Sequence, residues 1–289
     1  MAKVSDTSPK EGGVIGDPVR RFEDARLLTG QGEYSDDFNL PGQAYAAVAR
    51  SDQAHARVLS IDTSTAMGMP GVLVVLTGAD YSADGLRPLV AQGNPTDVAL
   101  KNRDGAPIHY PPIDLLAMDK VRRVGEAVAV VVAESSVQAH DAAECIRADY
   151  EQLPAVSEPI AALAPDAPRL WDDAENNLCV DDQKGDVQAV AAAFAKAAHI
   201  TRLDVVNNRV TGVPMEPRAA IGDYNSKTGI YALYTGGQGV NRFQRELNTA
   251  FNVPIDDIHV VSRDVGGGYG TRNSLYPEFA LVVWAAKRL

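Results

Sequence analysis

Asp264-Val265-Gly266-Gly267-Gly268-Tyr269-Gly270-Thr271-Arg272-Asn273 sets four glycines within five positions. Glycine has no Cβ, so such a run lets backbone N–H groups come very close to a ligand or to another chain segment. Thirty-one residues before Tyr269 stands Gln238, inside Thr235-Gly236-Gly237-Gln238-Gly239. Between the loops, Phe243, Leu247, Ala250 and Phe251 recur at helical spacing over 240–252, and Ile258-His259-Val260-Val261-Ser262 reads as a strand. Two glycine loops joined by a helix and a strand suit an anionic cofactor, because consecutive amides at a helix N-terminus attract negative charge. Gln238 adds a neutral side chain that both donates and accepts.

The standard phosphate cradles do not match. A GxGxxG motif starting at Gly266 needs glycine where Thr271 stands, and one starting at Gly268 needs glycine where Asn273 stands. No Gly-Lys-Ser/Thr follows, so a Walker A loop fails too. A glycine-rich turn also arises simply to let a helix pack tightly on a sheet, and a lone Gln is commonly structural or solvated. The loops by themselves leave those readings open.

Outward from the loops, the chain reads as a mixed α+β protein. Gln43–Arg50 and Gly71–Thr77 have strand patterns, 80–112 is a long loop rich in Gly, Pro, Asn and Asp, and Val124–Val132 is an almost continuous apolar run typical of a buried strand. Ser135 and Gln138 suggest a capping box ahead of a helix carrying Ala139, Ala142, Ala143 and Ile146, and a strand around Ala148–Tyr150 follows. Prolines at 154, 159, 165 and 168 mark a linker over 156–184. Gly185-Asp186 then opens a helix whose Val187, Val190, Ala191, Phe194, Ala195 and Ala198 share one face. Strands are expected at about 199–207, 218–224 and 229–235, with Asn225–Gly229 as the turn between the last two. The final helix carries Phe279, Leu281, Val282, Trp284 and Ala285 and ends in Lys287-Arg288, as the helix dipole favours. Residues 1–16 read as a polar tail.

Composition narrows the function classes. A formal charge of −11 argues against nucleic-acid binding, and 45% hydrophobic with 22% charged residues is ordinary for a soluble globular chain. Two cysteines, Cys145 and Cys179, make neither a disulfide framework nor a metal-binding CxxC pair, and both read as inert thiols. No apolar run approaches the ~18 residues that span a bilayer. Arg20-Arg21-Phe22 is followed by Glu23, Asp24 and Arg26 rather than by an apolar stretch, so it is not a twin-arginine signal, and a cytoplasmic location is expected.

Taken together, TGGQGV around Gln238, DVGGGYGTRN and the following LYPEFALVVWAAKRL closely resemble the molybdenum hydroxylases. These are the large subunits of xanthine dehydrogenase, aldehyde oxidase and aerobic carbon monoxide dehydrogenase. Arg21–Gly30 resembles the entry to that family's α/β hammerhead domain, Val124–Val131 its central strand, and Tyr150–Val156 its exit. Met215-Glu216-Pro217-Arg218-Ala219-Ala220 resembles the segment that begins the molybdopterin-binding region. The resemblance covers residues 17–289. It implies a hammerhead domain over 17–155 and the first, incomplete part of a molybdopterin-binding domain over 185–289.

The resemblance also assigns roles. Gln238 would hydrogen-bond an oxo ligand of molybdenum. Gly267, Gly268, Tyr269 and Gly270 would line the metal and its pterin through backbone amides, with Tyr269 where phenylalanine is common, and Gly239 would flank the same cradle. Gln238 and Tyr269 thus stand at the reacting centre. Metal ligation is left to the cofactor's dithiolene, so no protein ligand is expected; the cytosine dinucleotide form of molybdopterin is frequent in bacterial relatives. Arg272 is either a cofactor-phosphate contact or a solvated arginine, while Glu216 and Arg218 shape the fold through ion pairs or hydrogen bonds. Asn273 replaces a glutamate that purine-oxidising relatives use, which counts against xanthine. An aldehyde, an N-heteroaromatic ring or carbon monoxide fits the rest. Electrons would pass to an Fe–S small subunit and an FAD medium subunit.

Family large subunits are much longer, and their general-base glutamate lies in the distal half. Without a positioned base the reaction loses a contribution of ~10²–10⁴-fold. The chain is therefore expected to be one part of a split large subunit completed by a second polypeptide, or else a non-catalytic fragment that keeps the fold. In either case Val283 and Trp284 on the last helix should be exposed and mark an interface.

Overall fold

The computed structural model describes residues 21–90 and 100–289, so the polar tail at 1–16 and part of the loop at 80–112 lie outside it. In chain order the elements are helix α1 (Asp24–Leu28), strands β1 (Tyr45–Arg50) and β2 (Ala56–Asp62), helix α2 (Ser64–Met67), strand β3 (Val72–Thr77), helix α3 (Gly78–Ala83), strands β4 (Leu89–Val90), β5 (Pro112–Ile113), β6 (Lys120–Val121) and β7 (Ala127–Ala133), helix α4 (Ser136–Glu144) and strand β8 (Arg147–Gln152). After the linker come helix α5 (Val187–Lys196), strands β9 (Ala220–Asn225) and β10 (Ile230–Thr235), helix α6 (Val240–Phe251), strand β11 (Ile258–Val261) and helix α7 (Pro277–Arg288). No helix among the described residues is long and apolar enough to cross a membrane.

Strand β7 sits between β1 and β3, antiparallel to both. Every one of its residues is buried. Val130 and Val132 enter the main core, while Val131 and Ala133 meet Ala139 and Ala142 of α4, so the strand needs apolar residues on both faces. The apolar run thus starts three residues later than the sequence suggests: Val124 is exposed and Gly125 turns with φ +84°. Ser135 does cap α4, its Oγ accepting from the Gln138 amide. A second sheet, β6-β2-β8, stands beside the first. Strand β2 escapes a pattern search because its burial follows no clean alternation.

The sheet β11-β10-β9 holds the rest. Strand β10 is antiparallel to β9 across the expected turn and parallel to β11, with α6 as the crossover. Phe243, Leu247, Ala250 and Phe251 all face inward as their spacing predicts. Helix α7 lies over β9, and its Trp284 is only 2% exposed, donating its indole N–H to Asp84 (2.8 Å) and meeting the Tyr81 ring edge-on. Val283 is buried as well. The expected exposed face of the last helix is therefore absent: it faces the first half of the chain. One hydrophobic cluster unites Leu76, Leu116 and Val130 with Leu233, Phe279 and Trp284, so both halves share a core.

The linker is packed rather than loose. Buried Lys120 pairs with Asp172 (2.9 Å), and the Arg122 guanidinium lies over the Trp171 ring. Beyond it, two expectations fail. Helix α5 forms, with Asp186 capping the Ala189 amide, but ends at Lys196, before Ala198, and buries none of its residues. Residues 199–207 form no strand, because no edge among the described residues pairs with them. The loop at 80–112 is also partly ordered, with α3 and β4 at its start. Cys145 and Cys179 are free and half-buried.

Candidate functional site

Parallel neighbours β10 and β11 end at Thr235 and Val261, so the segments that follow emerge at the same edge of the sheet. That edge, at the carboxyl ends of parallel strands, is where open α/β sheets bind ligands. The topology thereby brings together the two glycine loops. Their contact is reciprocal: the Gln238 amide donates to the Arg272 carbonyl (3.0 Å), and the Gly270 amide donates to Gln238 Oε1 (2.9 Å).

This second bond fixes the side chain. A backbone N–H only donates, so the atom that meets it must be the amide oxygen, and the Gln238 NH₂ group is left as the outward donor. A Cβ at Gly268 would lie 2.6 Å from Gln238 Cδ and Oε1, so any larger residue there would push the Gln238 amide out of this position. Gly267 (φ +107°) and Tyr269 (φ +50°) turn the loop through the left-handed region, a costly conformation for tyrosine. The Tyr269 side chain is 77% exposed. No hydrogen bond ties the amides of Gly267, Gly268 or Tyr269 to another described residue. Gly239 is the residue immediately before α6, whose unsatisfied first amides carry partial positive charge towards the same edge. Free amides, a donor side chain and a helix N-terminus together fit an anionic cofactor.

Beneath the loops lies a buried polar cluster. Glu216 accepts the Ser35 amide on Oε1 (3.1 Å) and the Gly266 amide on Oε2 (2.8 Å), and its Oε2 also pairs with Arg272 Nη1. The second guanidinium nitrogen reaches the Glu216 carbonyl. Ser35 Oγ accepts the Gly236 amide (2.6 Å). Arg272 is 2% exposed, with its charge turned inward. This corrects the reading of Arg272 as a solvated residue; it holds the glycine loops from below. Burial alone would push the Glu216 carboxyl up, but the bonds from Gly266, Ser35 and Arg272 outweigh it and hold the group below the usual carboxylate range.

An outer clamp ties the N-terminal segment to the same loop. Arg26 grips Asp264 with both guanidinium nitrogens, and the Glu33 amide donates to Asp264 Oδ2 (2.7 Å) while the Asp264 amide donates back to the Glu33 carbonyl (3.1 Å). Arg26 above all, then Glu33, holds Asp264 down at about 2. Arg218, expected in an ion pair or hydrogen bond, instead places its guanidinium 4.0 Å above the Tyr276 ring. Asn273 is exposed, its amide donating to Gly270 (3.3 Å). Sequence reasoning missed Ser35, Arg26 and Asp264 as partners of the loops, since each pairing spans more than 180 residues and leaves no local pattern.

Comparison with known proteins identifies the two regions of the chain. Residues 29–154 match the aldehyde oxidase and xanthine dehydrogenase a/b hammerhead domain, and residues 170–289 match the molybdopterin cofactor-binding domain. Nicotine 6-hydroxylase large subunit of Paenarthrobacter nicotinovorans is 35% identical over 96% of this chain and 32% of its own length. Nicotinate dehydrogenase large molybdopterin subunit of Eubacterium barkeri is 28% identical over 91% of this chain and 56% of its own. The crystal structure of quinoline 2-oxidoreductase from Pseudomonas putida 86 superposes with a TM-score of 0.81 at 36% identity, over 93% of this chain and 33% of that one. The chain spans about one third of the length of the first curated relatives that it matches.

Proposed function

We propose, from the premise that this chain belongs to the molybdenum hydroxylase family of molybdopterin-binding subunits, that it forms the first wall of the cofactor cradle in an oxidative hydroxylase. When bound, the molybdenum cofactor supplies a two-electron oxidation in which oxygen from water enters the substrate and the electrons leave for Fe–S and FAD subunits. The carrying observation is the fixed amide of Gln238, whose oxygen is held by Gly270 and whose NH₂ faces outward as a donor. Gln238 donates into the cradle, and Gly239, Gly267, Gly268 and Tyr269 present backbone amides to the anionic groups of the pterin, in its cytosine dinucleotide form, while the Gly270 amide holds Gln238 in place. Tyr269 covers the reacting centre. Arg272 binds no cofactor atom; it positions the loop through Glu216.

An aldehyde or an N-heteroaromatic ring is the proposed substrate class. The names of relatives that act on nicotine and quinoline support it, as does the neutral, exposed Asn273. Functionally the chain divides into a hammerhead over 17–155, a connecting segment over 156–184 and the cofactor-binding part over 185–289. The general base and the rest of the cradle belong to the distal part of the large subunit, which the relatives carry beyond the region matched here.

The test is metal analysis of the native complex captured through this chain, with its subunits identified. Molybdenum and iron are expected, together with the distal cofactor-binding part of the large subunit, and Gln238→Ala should then lower turnover by about 10²-fold, as loss of one preorganised donor does elsewhere. A chain that purifies alone and metal-free would leave a hydroxylase fold without its reaction.

A further inference from the structure

Leu275-Tyr276-Pro277-Glu278 leads into the last helix. Proline disfavours helical backbone in the residue before it and suits the first helical position itself. Tyr276 is accordingly extended (φ −88°, ψ 147°) and stands just ahead of Pro277, the first residue of α7. Glu278, in the first turn, is gripped by Arg50 Nη2 (2.5 Å), whose Nη1 donates to the Gly125 carbonyl (3.0 Å), so the end of β1 anchors the start of α7. The Tyr276 ring is held on two sides: the Arg218 guanidinium covers its face, and Phe279 meets it edge-on at 5.5 Å between ring centroids. Its phenolic O–H donates to the Thr271 carbonyl, which accepts from no other described residue.

Thr271 passes that restraint on. Its amide (2.9 Å) and its Oγ1 (2.8 Å) both donate to the Gly268 carbonyl, and its neighbour Gly270 donates to Gln238 Oε1. A second route ends beside the same side chain: Phe279 packs edge-on against Phe243, and a Cβ on Gly237 would run into the Phe243 ring. A cavity of about 450 Å³ lies beside the turn, bordered by Gly270, Thr271, Ser274 and Tyr276. With open space there, the hydrogen bond and not packing keeps the Thr271 peptide in place. We infer that Tyr276 is a positioning residue for the reaction: its O–H, on a ring clamped by Arg218, holds Thr271 and thereby sets where Gly268 and Gly270 place the Gln238 amide. The inference rests on the function proposed above. Tyr276 reaches no reacting atom; it acts by fixing the direction of the Gln238 NH₂ group, and a preorganised donor loses most of its effect when displaced by about 1 Å.

Tyr276→Phe tests this, because it deletes one oxygen and keeps the ring under Arg218. In the chain without cofactor, hydrogen–deuterium exchange of the Gln238, Gly270 and Thr271 amides should quicken by about tenfold, with β7 unchanged and the melting temperature lower by roughly 1–6 °C, as for one hydrogen bond. Arg218→Gln, which uncovers the ring, should quicken the same amides, and Arg218→Lys should do so less. In the molybdenum-loaded native complex, Tyr276→Phe should lower turnover about tenfold with KM changed by less than about twofold. That loss should shrink to less than about twofold when Gln238 is already alanine, since Tyr276 acts through that side chain. Val131→Ala, at a fully buried position of β7, is the control: it lowers the melting temperature and leaves the three amides as they are, with any effect on turnover the same whether or not Gln238 is present. Unchanged exchange at the three amides overturns the inference, as does a turnover loss equally large in the Gln238→Ala background; both leave the proposed function standing. A native complex without molybdenum overturns the proposed function, and the role of Tyr276 in the reaction with it.

Discussion

Glu216→Ala removes the only carboxylate among the described residues that pairs with the buried Arg272 guanidinium. Glu216 holds three donors at once: the Ser35 amide, the Gly266 amide and Arg272 Nη1. Removing one member of a buried pair costs about 3–5 kcal/mol, because the remaining charge stays desolvated. Each stranded amide adds up to about 1–3 kcal/mol if water cannot reach it. These terms overlap, so about 3–5 kcal/mol is the expected total, or a fall in melting temperature of roughly 6–20 °C at the 2–4 °C per kcal/mol of a large domain. Circular dichroism melting of wild type and variant reads this shift, and hydrogen exchange at 236–239 and 266–270 should accelerate together. Glu216→Gln keeps the shape and loses less. A Glu216→Ala variant that melts within about 1 °C of wild type would refute the reasoning, since Arg272 would then have a solvent route that its burial denies.

Gly268→Ala should leave stability within about 1 kcal/mol yet displace Gln238, and so lower turnover of the assembled enzyme as much as Gln238→Ala does; equal activity would refute the close approach of the two loops. The Arg26–Asp264 clamp should release in acid. The folded carboxyl sits at about 2, below its ordinary value near 4, so its stabilisation is complete above pH ~4 and is lost as pH falls towards 2; proteolysis between α1 and residue 33 should rise in that window and not at pH 5–6. Trp284→Ala should cost about 3–5 kcal/mol by opening the shared core, and a cost below about 0.5 kcal/mol, as for a surface substitution, would contradict its burial.

The parts of this molecule that were legible from sequence are those whose signal is local. The apolar face of α6, the buried run of β7, the turn at Asn225–Gly229 and the paired glycine loops each announce themselves within about one element's length. The polar cluster under the site was not legible, because Ser35, Glu216, Gly236, Gly266 and Arg272 come from distant segments and converge only in three dimensions. Trp284 shows a different limit. Amphipathic spacing tells that a helix has an apolar face, not which neighbour covers it, and α7 turned that face to the first half of the chain. The expected strand at 199–207 failed for a related reason: strand propensity describes what a segment will do when an edge is offered, and none is offered among the described residues.

The single core formed by both halves has a consequence for synthesis. Strand β7 and helix α3 complete their packing only when Phe279 and Trp284 arrive, two hundred residues after Asp84. At about 5–20 residues per second, a ribosome needs roughly ten seconds or more to cover that interval, and during it the first half waits with an open apolar side. Such a nascent chain is a natural client for a chaperone acting on the ribosome, and its folding should be slow for its size because so many of its contacts are long in sequence.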